Sequence, residues 1–320
     1  MTAAVTLNTL AVVITEPQQL CLESLDLTPP GAADCVVDIH WSGISTGTER
    51  LLWTGKMPNF PGMGYPLVPG YESVGRVVSA GDDSGCHIGD LVFVPGARCY
   101  GETVRGLFGG AAARVVVPGA RLLTIPPQLG EQAVLLALAA TAYHAIAAAL
   151  PVTPDLIVGH GVLGRLLARI AVALGGSPVV WERNPQRRDG VQGYSVIDPA
   201  VDTRHDYRAI YDVSGDSSLL DDLIAHLAPG GEIILAGFYE APLSFNFPPA
   251  FMRELRLRVA AEFRDPDLNA VKKLLAAGKL SLDGLITHRY PASAAAEAYH
   301  TAFTDPSCLK LVLDWSAEHD

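Results

Sequence analysis

The chain has 320 residues, enough for about two domains with sizeable cores. Hydrophobic residues make up 49% and charged residues 18%, which excludes a disordered chain, because such a composition buries enough apolar surface to offset its ordering entropy. With 23 Lys and Arg against 34 Asp and Glu the formal charge is −11, and no basic run interrupts it, so a nucleic-acid partner is excluded.

Residues 1–128 hold short apolar runs separated by Gly and Pro: Leu10–Ile14, Cys35–Ile39, Ser73–Val78, Asp90–Val94 and Arg114–Val117. Runs of this length and spacing predict a small antiparallel barrel or sandwich. Ala133–Leu150 follows, uncharged and half alanine, with Thr141 and His144 near its centre. Alanine contributes little to partitioning into lipid, so the stretch reads as a buried helix rather than a membrane span. From Asp155 the pattern alternates. Strands are expected at Asp155–Val158, Pro178–Trp181, Ser195–Ile197, Ala209–Val213, Glu232–Ala236 and Arg256–Ala260, and helices at Val162–Leu174, Ser218–Leu227 and Asp267–Ala277. Such alternation implies an α/β domain, a parallel sheet covered on both faces, over residues 129–282. Residues 283–320, with a helix at Ser293–Thr301 and a strand at Leu309–Leu313, are too few for a domain and are expected to rejoin residues 1–128.

The five cysteines (Cys21, Cys35, Cys86, Cys99, Cys308) include no Cys-x-x-Cys pair. Together with an N-terminus lacking a positive region before an apolar stretch, they read as reduced thiols of a cytoplasmic protein.

The strand at Asp155–Val158 runs into Gly159-His160-Gly161-Val162-Leu163-Gly164 and then a helix. In Gly-x-Gly-x-x-Gly the first glycine makes the tight turn, the second admits a pyrophosphate, and the third lets helix and strand approach. The helix start supplies free amides and a favourable dipole for the phosphates. The second strand ends at Glu182, eighteen residues beyond Gly164, where a carboxylate would grip a ribose diol and repel a 2′-phosphate. NAD is therefore favoured over NADP, although Arg183, Arg187 and Arg188 stand nearby. Gly237 and Phe238 follow a later sheet strand and are expected to approach the cofactor.

The order of features resembles the medium-chain dehydrogenase/reductase superfamily from end to end. The matching landmarks are Gly43-Ile44-Ser45, Pro69-Gly70-Tyr71-Glu72-Ser73-Val74-Gly75, Gly89-Asp90-Leu91-Val92, Thr141-Ala142-Tyr143, the glycine loop, Pro229-Gly230-Gly231-Glu232 and Lys310-Leu311-Val312-Leu313. The resemblance implies a GroES-like catalytic domain plus a Rossmann domain, with the active site in the cleft between them. Many members hold a catalytic zinc, and at the corresponding positions this chain has Ser45, Tyr71 and Ala137, none a usual zinc ligand. The four-cysteine lobe of a structural zinc is missing, and Cys86, His87 and Cys99 lack paired spacing, so no metal is expected.

The stretch Trp41–Glu72 is similar to the bacteriochlorophyll-synthesis branch of that superfamily, the 3-hydroxyethyl bacteriochlorophyllide a dehydrogenases, as are Leu235–Tyr239 and Leu243–Arg253. That resemblance implies oxidation of the 1-hydroxyethyl group at C3 of a magnesium tetrapyrrole, a chlorophyllide-type substrate, to acetyl. Delivery of the pigment from solution, at a photosynthetic membrane or from another pathway enzyme stays open. In place of zinc, Ser45, Thr48 and Tyr71 offer hydroxyls that bind the alcohol and relay its proton. Glu72 is read as their neighbouring acid and His144 as a further candidate; each could instead be structural. Trp53, Met57, Phe60, Met63 and Tyr65, in a loop stiffened by Pro58, Pro61 and Pro66, would form the pigment platform, or else tuck into their own domain. Tyr239 is expected on the substrate as well. A homodimer joined through Arg256–Ala260 is expected, though Leu255, Leu257 and Val259 equally suit an interior strand. Two other functions stay open: a zinc-free NADPH-dependent quinone or enone reductase, and a non-catalytic carrier of pigment or nucleotide.

Overall fold

A computed structural model describes residues 7–148 and 152–319, in two compact units, Met1–Leu136 with Leu285–Asp320, and Ala137–Gly284. These borders lie at 136 and 285 rather than at the 128 and 283 expected from the sequence pattern. Along the chain come β1 (Asn8–Glu16), β2 (Gln19–Asp26), β3 (Asp34–Ile44), α1 (Thr48–Thr54), β4 (Ser73–Ala80), β5 (Leu91–Val94), β6 (Arg114–Pro118), β7 (Leu123–Thr124) and α2 (Leu136–Ala147). Next are β8 (Leu156–Val158), α3 (Val162–Ala173), β9 (Val179–Trp181), β10 (Ser195–Ile197), β11 (Tyr207–Asp212), α4 (Leu220–His226), β12 (Leu227–Leu235), α5 (Phe247–Met252) and β13 (Arg256–Val259). The chain closes with α6 (Asp265–Ala276), β14 (Ile286–Pro291), α7 (Ala295–Thr304) and β15 (Lys310–Asp314).

The first unit is organised around β3. One edge of this strand pairs with β4. The other is shared, because Asp34–Asp38 pair with β6 while Trp41–Ile44 pair with β15. The sheet runs β14-β15-β3-β4-β5-β7, and all its pairs are antiparallel except β14 with β15. The hairpin β1–β2 forms a second layer, bridged to the rest at Ala11–Ala112 and Ile14–Leu67. Val37, Ile39, Val92, Val115, Leu311 and Leu313 fill the interior, each buried aliphatic side chain contributing about 1.5–3 kcal/mol. The C-terminal segment thus returns to the first unit through a central sheet position.

Two polar contacts hold that return. The indole N–H of Trp315 donates to Ser42 Oγ at 2.8 Å. Lys310 Nζ donates to Glu72 Oε2 at 2.5 Å and to the Ile44 carbonyl at 3.2 Å, with both charged side chains wholly buried. Burial pushes the Glu72 carboxyl up, and Lys310 opposes that shift.

The second unit is a six-stranded parallel sheet in the order β10-β9-β8-β11-β12-β13. Counted from β8 this is 3-2-1-4-5-6, the doubly wound dinucleotide-binding order, whose direction reverses between β8 and β11. The reversal opens a crevice at the carboxyl ends of those two strands. Pro127–Ala147 is long and apolar enough by composition to cross a bilayer, yet 56% of its apolar window is buried within the protein. The last two residues of the expected helix, 149 and 150, lie outside the described residues.

Removing one member of the buried ion pair leaves an uncompensated charge. Lys310→Ala is therefore expected to lower unfolding free energy by about 3–5 kcal/mol, measured by urea denaturation.

Candidate cofactor and active site

The glycine loop joins β8 to α3 at the sheet's reversal. Gly159 has φ of +103°, a left-handed conformation that side chains other than glycine rarely adopt. A Cβ on Gly164 would stand 1.9 Å from the Gly159 carbonyl oxygen, so helix and turn meet only because that atom is missing. Gly161, immediately before α3, would direct a Cβ into open space. The α3 start therefore presents its amides on an open face, as a pyrophosphate requires. Val162 is buried and Leu163 half-buried behind that face. Glu182 follows the end of β9, half-buried, its carboxylate accepting from the His160 amide at 3.1 Å and the Asn184 amide at 2.8 Å. Acid and glycine loop are thus joined directly, and these residues fit a nicotinamide dinucleotide.

Two expected cofactor contacts are redirected. The His160 imidazole is wholly buried, with Nδ1 on the Arg187 carbonyl at 2.6 Å and Nε2 on the Tyr194 hydroxyl at 2.8 Å. Burial lowers its pKa to about 4, so the ring is a neutral brace for the loop, and its side chain does not face a ligand. Arg183 is exposed and pairs with Asp216 at 3.0 Å, while Arg188 pairs with Asp198 at 2.6 Å. Both guanidinium groups are already engaged with carboxylates.

At the ends of β11 and β12, Asp212 is buried and its carboxyl is pushed up, chiefly by burial. It accepts from the Ser214 amide at 2.9 Å and from the Tyr239 hydroxyl at 2.8 Å. Tyr239, expected on the substrate, is instead an anchor whose hydroxyl is spent on Asp212. Gly237 lies against Val213 and Gly215, and a Cβ there would fall 3.3 Å from each. Phe238 is the exposed member, 51% accessible, at the carboxyl end of β12.

In the first unit, Ser45, Thr48 and Tyr71 come together. The half-buried Tyr71 hydroxyl donates to Ser45 Oγ at 2.7 Å and lies 3.4 Å from Thr48 Oγ1. Burial is the main force driving its phenol pKa well up, so Tyr71 stays protonated and serves as a donor. Glu72 does not join this set through its side chain: its carboxylate turns to Lys310, and no hydrogen bond links it to the three hydroxyls among the described residues. The carboxyl beside Ser45 belongs to Glu49, in the first turn of α1, which sequence reasoning missed. His144 lies in the second unit, where Nδ1 meets Asp267 Oδ2 at 2.9 Å. Asp267 in turn accepts the Arg264 amide at the start of α6, so His144 ties two helices together.

The aromatic loop divides. Met57 is buried in a small cluster with Ile14, Leu52, Leu67 and Leu107, against which Met63 and Tyr65 pack. The Tyr65 hydroxyl donates to the Leu52 carbonyl. Met57 and Tyr65 therefore hold the loop to its own unit and are not a platform. Trp53 is half-buried beside Phe303, with ring centroids 6.5 Å apart, and Phe60 is 37% accessible. Of the expected platform, Phe60 is the most open.

The residues at the zinc-ligand positions do not fit that ion. Ala137 has no donor atom, and Ser45 and Tyr71 offer neutral hydroxyls bonded to each other. Among the described residues no three His, Cys, Asp or Glu side chains gather where they could hold a metal.

Gly161 allows a clean test. A side chain there meets no protein atom, so Gly161→Val should leave thermal stability near that of the wild type. It should weaken NADH binding more than about tenfold by nicotinamide fluorescence, because the branched carbon occupies the pyrophosphate's approach.

Residues 31–127 match the alcohol dehydrogenase GroES-like domain family. The chain is 57% identical to the 2-desacetyl-2-hydroxyethyl bacteriochlorophyllide A dehydrogenase of Rhodobacter capsulatus, covering 97% of this chain and 99% of that one. Identity and coverage are the same, 57%, 97% and 99%, for the dehydrogenase of that name from Cereibacter sphaeroides. Among solved structures, an alcohol dehydrogenase of Escherichia coli CFT073 complexed with NADH superimposes with a TM-score of 0.81 at 21% identity, covering 96% of this chain and 99% of that one. The fold is thus a GroES-like domain joined to a Rossmann domain. Identity of 57% from end to end means that the protein belongs to the 2-desacetyl-2-hydroxyethyl bacteriochlorophyllide A dehydrogenase family.

Proposed function

We propose that this chain oxidises the hydroxyethyl group of a bacteriochlorophyllide to acetyl, with NAD as acceptor and without a catalytic zinc. The end-to-end identity to the Rhodobacter and Cereibacter dehydrogenases carries the reading. NAD, when bound, accepts the hydride. The carbinol C–H bond breaks with its electron pair, the O–H proton leaves, and a C=O bond forms. The chain's own task is to bind the alcohol oxygen and take that proton, and the hydroxyls of Ser45, Thr48 and Tyr71 are suited to it. Tyr71, protonated and already donating to Ser45, orders the set, and Ser45 and Thr48 pass the proton toward solvent.

The substrate itself reduces the need for a Lewis acid. Its carbinol carbon is attached to a conjugated macrocycle, so positive charge that develops as hydride departs spreads into the ring. Glu182 supports NAD over NADP, since a carboxylate beside the ribose repels a 2′-phosphate. The reductase reading conflicts with that acid, and the carrier reading leaves the hydroxyl set without a task.

We further propose that the protein works in the cytoplasm as a homodimer, paired along β13. That strand is the outer edge of its sheet, with Leu257 and Val259 exposed, and Phe247, Phe251 and Met252 are exposed on α5. An edge strand with such side chains invites pairing by another chain. Static light scattering should give twice the chain mass, and Val259→Pro, which bars strand pairing, should give the single-chain mass.

The functional reading is tested by incubating the protein with NAD and hydroxyethyl bacteriochlorophyllide. The absorption shift of a conjugated acetyl should appear with one NADH per pigment oxidised. NAD should be preferred over NADP by about tenfold or more, and Glu182→Ala should narrow that preference. A pigment consumed without NADH, or no pigment consumed, contradicts the reading.

A further inference from the structure

Glu49 is a carboxyl with no solvent exposure, on the short helix α1. One oxygen accepts the Ser45 amide at 3.2 Å. The other accepts the hydroxyl of Tyr299 on α7 at 2.8 Å, and Tyr299 is itself wholly buried. A carboxyl taken out of water needs such partners, and an ion pair is the usual arrangement. Here the neighbouring cation, Lys310, is hydrogen bonded to Glu72 instead. Glu49 is therefore a buried acid attached to the backbone of the hydroxyl set, with a phenol as its only side-chain hydrogen-bond partner among the described residues.

We infer that Glu49 is a positioning residue of this dehydrogenase: its carboxylate, held by Tyr299, fixes the Ser45 end of the hydroxyl set. It also places there a negative charge that draws the alcohol's proton into the set. The inference rests on the reading that Ser45, Thr48 and Tyr71 receive the alcohol. Its physical logic is the reverse of a metal's. A cation favours the alkoxide, whereas a buried anion favours a proton arriving next to it and the positive charge left as hydride departs.

The groups facing Glu49 are Tyr299 from α7, Glu72 from the segment before β4, Lys310 from β15 and the Ser45 amide. Burial lifts its pKa to about 7; Tyr299, the Ser45 amide and Lys310 lower it, and Glu72 raises it. The charge is thus present above neutrality and lost below it. Because the folded value exceeds the ordinary 4.5, the folded protein binds the proton more tightly, and this site's contribution to stability falls as pH rises between the two values.

The test compares wild type, Glu49→Gln and Tyr299→Phe in kcat from about pH 5 to about pH 9, with thermal unfolding at each pH. Wild-type kcat should rise toward a plateau above neutrality. Glu49→Gln, which keeps the shape and can still accept from Ser45, should lose that rise and about tenfold or more of the plateau. Tyr299→Phe, which removes a bond that lowers the Glu49 pKa, should move the rise to higher pH and keep most of the plateau. Wild type should also lose stability relative to Glu49→Gln as pH rises. An unchanged rise and a plateau within about twofold in Glu49→Gln would overturn the inference. So would a stability gap that does not change with pH, a result readable without substrate. Wild-type protein that forms no acetyl product would instead strike the functional reading itself, leaving the stability arm to decide whether Glu49 titrates in the neutral range.

Discussion

The hydrogen bond from the Tyr71 phenol to Ser45 Oγ, at 2.7 Å, is the contact on which this account depends. It joins two positions at which the superfamily resemblance implies metal ligands in zinc-dependent members, and makes them a donor and an acceptor. A hydroxyl pair cannot raise an alcohol's acidity as a divalent cation does. It can hold the oxygen and accept a proton, provided that the substrate tolerates positive charge at carbon. Pigment and site are therefore matched: a carbinol next to an extended π-system requires less from the protein than an aliphatic one.

The rest of the first unit supports this contact from behind. Ser45 follows directly on β3, and Tyr71 precedes β4, the neighbour of β3 in the sheet. The C-terminal strand β15 lies along the other edge of β3, and its Lys310 neutralises Glu72, the residue after Tyr71. A Cβ on Gly43 would stand 2.6 Å from Glu72 Oε2, which shows how closely the carboxylate is enclosed. The last residues of the chain are thus part of the framework behind residues 45–72, although they are remote in sequence.

The sheet architecture was legible where pattern and chemistry coincided. The β8–Gly159–α3 unit has a turn that only glycine satisfies, and β10 and the apolar strands of the first unit announce themselves by β-branched runs. Strands β2 and β14 were missed because polar residues interrupt them; Ile286, His288 and Tyr290 do alternate with exposed neighbours, a period-two signal that was readable. Helix α1 was missed because seven residues are too few for a helical period to show. In the site, the hydroxyl trio was legible but its electrostatics were not. Glu72 was read as an acid beside the hydroxyls, whereas burial drives its charge to Lys310, a partner 238 positions away. Glu49 and Tyr299, 250 positions apart, carry no local mark of their pairing. His160 and Tyr239 look like ligand contacts by position, and only the folded chain reveals Tyr194 and Asp212 as their partners.

The central claim, that an ordered set of hydroxyls does the work given elsewhere to zinc, is tested most directly by measuring metal content and pigment turnover on the same protein before and after exhaustive chelation. The account predicts an unchanged rate of acetyl formation in protein holding far less than one transition-metal ion per chain. A rate that falls with the metal, and returns when about one zinc per chain is restored, would contradict it.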